Sequence, residues 1–241
     1  MALLELRVDP FLGREVNRSE AEEDIQTELD QEVEELYAKY ERLGSHLWYL
    51  GYDLKPYTPI QINQLFRKIN REMSIDRMKH AKPGKLITLL INHAYITGQN
   101  NFILSAEDNK ICDIAYELRC NEARPLDLTI IGNPGNYFAD KSEGCIFTII
   151  GHIKFGMEYS KYCNYLIRGD VTGGCGWHTT GCTFIFEGSV SGSFGFWSKN
   201  NVYKTSNPET YQTLIQLTGI NNVCQLLNDK GTVLEEFHKH L

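Results

Sequence analysis

GCIFTIIGHIKFGMEYSKYCNYLIRGDVTGGCGWHTTGCTFIFEGSV, residues 144–190, holds three short apolar strands, each followed at once by a glycine. The strands are CIFTII (145–150), CNYLIR (163–168) and CTFIFE (182–187), and they end at Gly151, Gly169 and Gly188. An earlier strand, LDLTII (126–131), ends at Gly132, so the four glycines are separated by 19, 18 and 19 residues. Aligned on them, Cys145, Cys163 and Cys182 share a column, Phe147, Tyr165 and Phe184 the next on the same face, then Ile149, Ile167 and Phe186. Side chains alternate across a strand, so one face of every strand is apolar and the other mixed. A strand of this kind buries its apolar face only by stacking on copies of itself, which makes a solenoid.

The glycines 132, 151, 169 and 188 are expected to let the backbone turn between strands in conformations other residues resist. In the second half of each coil, Phe138-Ala139, Phe155-Gly156, Cys175-Gly176 and Phe194-Gly195 align, with a gap needed somewhere in the 18-residue coil. Left-handed hexapeptide solenoids also have coils near this length, but need an aliphatic residue at every sixth position. Stepping by six from Val171 gives Trp177, Thr183 and Ser189. The pattern fails.

The stretches GNPGNYFADKSEGCIFTIIG (132–151), GHIKFGMEYSKYCNYLIRG (151–169), GDVTGGCGWHTTGCTFIFEG (169–188) and GSVSGSFGFWSKNN (188–201) resemble the glycine-rich GXGXG β-helix domain. That family includes the C-terminal domain of the glutamate synthase large subunit and one of the subunits of formylmethanofuran dehydrogenase. The resemblance covers about residues 126–206 and implies an architectural role and a single-stranded, right-handed parallel β-helix of four to five coils. The cluster-binding cysteine run, flavin barrel and N-terminal catalytic cysteine of the larger enzymes have no counterpart in the sequence. The 18-residue coil and the helical N-terminal third depart from the family.

The flanks read as helix, so the fold class is α+β: a helical region over residues 1–100, the β-helix over 101–206, and a helical cap over 207–241. Ile25, Leu29, Val33, Leu36, Tyr40, Leu43, Leu47 and Leu50 step by three or four, predicting a helix over 19–50 opened by a Ser19/Glu22 capping box. Residues 19–43 hold ten acidic and two basic side chains. Thr58-Pro59 opens a second helix over 59–73, with Ile62, Leu65, Phe66, Ile69 and Met73 on one face. Residues 55–85 carry eight Lys or Arg against two carboxylates. A third helix over 85–97 places Leu86, Leu89, Leu90, His93 and Ile96 together. Asn207-Pro208 opens another, with Tyr211, Leu214 and Ile215 inward, and a Thr232/Glu235 capping box predicts a last one.

Apolar residues make up 42% of the chain and charged ones 23%, with net charge -7, which argues against general nucleic-acid binding. The longest apolar run, Leu86 to Ile91, is too short to span a bilayer, and no secretory signal is visible. Seven cysteines, an odd number, predict free thiols in a cytoplasmic setting.

Cys145, Cys163 and Cys182 read as apolar fillers of the core. Cys175, His178 and Cys182 are candidate zinc ligands, since thiolate and imidazole suit that metal, although Cys175 falls in an inward column. His152, His178 and Glu187, with Asp170, are candidates for an acid–base groove on the solenoid surface. The glycines of GDVTGGCG lack the Lys-Ser/Thr ending of a phosphate loop. No catalytic residue or cofactor is assigned. Arg67, Lys68 and Arg71 are the candidate interaction residues. The basic stretch through Lys85 could meet a nucleic acid, but the acidic helix 19–43 is the more economical partner. The sequence thus reads as a scaffold that binds a protein partner or a second copy of itself, with an accessory subunit or small enzyme using the His152/His178/Glu187 groove as the alternative.

Overall fold

A computed structural model describes residues 31–39, 56–72, 83–105, 111–121 and 123–239. Its centre is a parallel β-solenoid. Strands β1 (Asn101–Ser105), β2 (Asp127–Ile131), β3 (Ile146–Ile150), β4 (Asn164–Ile167), β5 (Thr183–Phe186), β6 (Val202–Thr205) and β7 (Val223–Leu227) pair in sequence order, all parallel. The register runs Asp127, Ile146, Asn164, Thr183, Val202, hence steps of 19, 18, 19 and 19 residues. Isolated bridges join the remaining sides of the coils along Ile153–Val171–Val190, Phe138–Gly156–Cys175–Phe194 and Arg119–Glu143–Lys161–Thr180–Lys199.

These bridges locate the missing residue of the short coil. From Ile153 to Gly156 the chain takes three steps, where Val171 to Cys175 and Val190 to Phe194 take four. Gly156, not Phe155, therefore stacks between Phe138 and Cys175, and the alignment of Phe155 with Phe138 is corrected. Gly156 has φ +143°, and a Cβ there would lie 2.7 Å from the Phe138 backbone N and O. The shortened turn draws its backbone inward, where no side chain fits.

The column glycines also have a different cause from the one expected. Gly151, Gly169 and Gly188 lack positive φ; a Cβ on each would lie 2.3, 2.3 and 2.4 Å from the carbonyl oxygen of the column glycine one coil earlier. Only Gly132 has positive φ, +107°. The backbones of successive coils approach too closely at this corner for any side chain.

Inside, the predicted columns stand. Phe147, Tyr165, Phe184 and Tyr203 are buried and stacked, with centroids 5.1, 4.8 and 5.4 Å apart. Cys145, Cys163 and Cys182 are buried beside them, and the register continues their column into buried Asn201 and Asn222. Asn201 Oδ1 accepts the Cys182 N–H at 2.7 Å, and Asn222 Oδ1 accepts the Asn201 N–H at 2.9 Å. Amide side chains here take the place of the thiols and satisfy these backbone donors.

Helices close the first strand. Residues 31–39 are helical (α1); the remainder of the helix expected over 19–50, including the Ser19/Glu22 box, lies outside the described residues. α2 (Pro59–Glu72) buries Ile62, Leu65, Phe66 and Ile69 and packs on β1 and on α3 (Pro83–Ile96). Its N-terminus is a reciprocal box: Gln61 N–H donates to Thr58 Oγ1 (3.3 Å) and Thr58 N–H to Gln61 Oε1 (2.9 Å). α3 buries Leu86, Ile87, Leu90, Ile91, Ala94 and Tyr95, so its inward face is rotated from the expected one, and Ile96 is 76% exposed. Thr88 draws the helix against the next coil, its hydroxyl accepting the Ala115 N–H at 2.9 Å.

The C-terminal cap is only partly helical. α4 (Pro208–Leu217) is inserted between β6 and β7, capped by Asn207 accepting from the Glu209 and Thr210 N–H groups, with Tyr211 and Leu214 buried and Ile215 half-buried. The helix expected from Thr232 is instead β8 (Val233–His238), antiparallel to β7. Asn228 forms the turn, its side chain accepting the Lys230 and Thr232 N–H groups, and Gly231 supplies φ +74°. A capping box before so short a segment is outweighed by a hairpin turn beside the open edge of β7. Among the described residues no helix is long and apolar enough to cross a membrane.

Candidate functional site

Four successive coils turn their second corner with two left-handed residues two positions apart. Ala139, Met157, Gly176 and Gly195 have φ from 55° to 68°, and Lys141, Tyr159, His178 and Trp197 from 55° to 57°. Such conformations are costly for residues with a Cβ. Here the backbone is held by the neighbouring coil: Lys141 N–H donates to Glu158 O (2.7 Å), Tyr159 N–H to Trp177 O (2.8 Å) and His178 N–H to Phe196 O (2.9 Å). The residue after each pair is a buried hydroxyl, Ser142, Ser160, Thr179 or Ser198. The left-handed residue before it projects outward.

That outward column is aromatic over three coils. Tyr159 and His178 stack at 4.7 Å with planes 10° apart, and His178 and Trp197 at 5.0 Å and 18°. Trp177 stands edge-on to Trp197 (5.7 Å) and Phe196 (6.0 Å) and donates its Nε1–H to Ser193 O at 2.7 Å. Trp197 is 66% exposed, Tyr159 50% and Phe196 41%. One coil earlier the column turns charged: Lys141 donates to Tyr116 Oη at 2.7 Å and pairs with Glu117 at 3.2 Å, while Lys85 sits 4.4 Å over the Tyr116 ring. Beside the stack, burial pushes the Asp140 carboxyl up to about 7 and raises Glu158 as well.

Of the candidate ligands and groove residues, His178 alone lies in this corner. Cys175 points into the solenoid, burial pushing its thiol up to about 12, and Cys182 belongs to the separate inner column. The zinc candidates Cys175, His178 and Cys182 are thus not brought together, and no metal-holding group of three or more His, Cys, Asp or Glu occurs among the described residues.

The groove candidates separate too. His152 and Asp170 lie at the first corner, in a column where each side chain accepts the next coil's N–H: Asn133 Oδ1 from His152 (2.7 Å), His152 Nδ1 from Asp170 (3.0 Å), Asp170 Oδ1 from Ser189 (2.8 Å). Glu187 pairs with Arg168 at 3.4 Å on the strand face, away from the His178 stack.

Arg67, Lys68 and Arg71 do converge. With Val33, Glu34 and Gln64 they line a cleft of about 380 Å³ between α1 and α2. Lys68 is engaged there by Glu34 and Glu72, and the Glu34 carboxylate raises its pKa. Arg71 is 76% exposed at its side chain and pairs with Glu72. The acidic-to-basic helix pairing expected from the charges is present where both helices are described.

A second cleft of about 420 Å³ lies where α2 meets the outer face of β1 and β2, lined by Ile60, Asn63, Ile103 and Thr129, with Asp127 as its one ionisable group. A single carboxylate is not an acid–base pair.

The aromatic corner was missed because the inner columns dominate any alignment on the glycines. Its signal was nonetheless there once the gap of the short coil is placed: Tyr159 lies eight residues after Gly151, and His178 and Trp197 nine after Gly169 and Gly188. Comparison with family models, curated proteins and solved structures gives no match.

Proposed function

We propose that the chain is a non-enzymatic scaffold that docks a protein partner on the aromatic corner formed by Tyr159, Trp177, His178, Phe196 and Trp197. The observation that carries this reading is the exposed run of rings, held edge-outward at coil spacing by a rigid core. Large exposed apolar patches on otherwise polar surfaces mark interaction sites, and Trp and Tyr are the residues most often found to anchor them. The groups that would suggest catalysis, His152, Asp170 and Glu187, are spent in joining one coil to the next. The architectural β-helix of glutamate synthase, which the coils resemble, offers a parallel for such a role. Seven cysteines, an odd number, suit a reducing, cytoplasmic setting. The basic surface at Arg67 and Arg71 is a secondary contact, since Lys68 is already committed within the chain.

Affinity capture from source-cell extract, quantified by mass spectrometry, compares the wild-type chain with Trp197→Ala/Phe196→Ala. The reading requires a stoichiometric partner whose recovery falls at least about tenfold in the variant while the unfolding midpoint stays close to wild type. An identical partner set from both proteins would sink it, and loss on Arg67→Ala/Arg71→Ala alone would move the surface to α2.

A further inference from the structure

The thiol column is not confined to the three cysteines that the repeat aligns. Cys120, in the coil before them, brings its Sγ to 2.6 Å from Cys145 Sγ, well inside ordinary contact between two sulfur atoms. The backbone fixes this approach. Arg119 bridges Glu143, the Cys120 N–H donates to Glu143 O at 3.0 Å, and a Cβ at Gly144 would lie 3.1 Å from Cys120 O. Gly144 therefore lets the two coils close until their thiols meet.

The two thiols differ in access. Cys145, Cys163 and Cys182 are buried, and Cys120 is half-buried. Within this column a reagent from solvent meets Cys120 before Cys145. Their hydrogen bond favours the anion at Cys120 and disfavours it at Cys145, so the more accessible residue also carries the more readily ionised thiol.

We infer that Cys120 and Cys145 are a hydroperoxide-sensitive thiol pair, with Cys120 as the attacking sulfur and Cys145 as the resolving one. The Cys120 thiolate attacks one peroxide oxygen; the O–O bond breaks, hydroxide leaves, and Cys120 becomes a sulfenic acid. Cys145 sulfur then attacks that sulfur, the S–O bond breaks, and the thiol proton leaves with the hydroxyl as water. Two thiols are oxidised to one disulfide, and hydrogen peroxide is reduced to two waters. The sulfur atoms need only close to about 2.05 Å. The product ties the coil of residues 111–121 to the start of β3 and spares the deeper thiols. The inference does not rest on the aromatic corner.

The test exposes the full chain to hydrogen peroxide, alkylates the remaining thiols in denaturant, and maps peptides without reduction. A Cys120–Cys145 linked peptide should exceed every other cysteine pair at least about tenfold, because half-buried Cys120 is already in contact with Cys145. Cys120→Ala should remove that peptide and leave Cys145 reduced. Cys145→Ala should leave Cys120 as a sulfenic acid that dimedone traps. Should Cys145→Ala not fold, wild type and the half-buried Cys120→Ala decide the matter. A Cys145–Cys163 link, oxidation of half-buried Cys112 ahead of Cys120, or Cys120 oxidised without a link in wild type would each overturn the inference.

Discussion

The solenoid carries two ring stacks, one inside and one outside, built at the same spacing for the same reason. Inside, Phe147, Tyr165, Phe184 and Tyr203 succeed one another at 4.8–5.4 Å; outside, Tyr159, His178 and Trp197 do so at 4.7–5.0 Å. The distance in both is set by the hydrogen-bonding separation of neighbouring strands, about 4.8 Å. What differs is the environment. The inner rings are closed in by other coils, whereas the outer rings keep an edge in water. Equal geometry therefore carries unequal energy: the inner stack holds the fold, and the outer one is free to be used.

The strongest way to separate them is to remove one ring from the inner stack. Phe184 is fully buried and meets Tyr165, Phe186, Phe194 and Tyr203. Phe184→Ala should cost about 3–5 kcal/mol in urea unfolding, the usual loss for a buried aromatic that leaves a cavity. A loss below about 1 kcal/mol would mean that the inner stack is not the structural one.

Asp140 precedes Lys141 in the coil before the outer stack, and its buried carboxyl is pushed from 3.8 to about 7. Between those values the unfolded chain has released this proton and the folded chain still holds it, so stability falls as pH rises and levels above about 7. At 1.36 kcal/mol per pH unit the full change is at most about 4 kcal/mol. Asp140→Asn keeps an oxygen to accept the Glu158 N–H, now at 2.9 Å, and should flatten that part of the pH profile. Unfolding midpoints between pH 4 and 8 for both proteins are the measurement; parallel curves would rule Asp140 out as the cause.

The column glycines test close packing without touching either stack. A methyl group at position 169 would lie 2.3 Å from Gly151 O, a backbone atom that cannot swing aside. Gly169→Ala should destabilise by about 1–3 kcal/mol through forced separation of two coils. A conformational cause would predict otherwise: this glycine has no positive φ, so alanine would then be nearly neutral.

That glycine also marks what the sequence could and could not reveal. Its position was legible because strand–glycine spacing is a local signal, and so were the columns Cys145/Cys163/Cys182 and Phe147/Tyr165/Phe184. Its reason was not, because the clash is with a residue 18 positions away. The same limit hid the continuation of the thiol column into Asn201 and Asn222, where residue type changes but position does not. It misplaced Phe155, because a one-residue gap can be located only when neighbouring coils are in register. At Thr232 a true helix-start pattern competed with the Asn228–Gly231 turn and the edge of β7, and that long-range partner decided for strand. The outer column was legible in position and illegible in meaning, since exposure depends on how the corner is turned by left-handed residues such as Tyr159 and His178.

Trp197 should show the smallest effect on stability and the largest on binding. Its ring covers one face of His178 and touches Trp177 and Phe196, yet the residue is 66% exposed. Trp197→Ala loses one stacking contact, worth about 0.5–1.5 kcal/mol, and uncovers His178 without opening the core. A partner that seats on the corner would lose the ring most able to fill a pocket, a change of about 2 kcal/mol or more, roughly thirtyfold in affinity. Urea unfolding and a binding titration on the same preparation separate the two. If Trp197→Ala unfolded as readily as Phe184→Ala, the outer stack would be a second structural column and the contrast between inside and outside would fail.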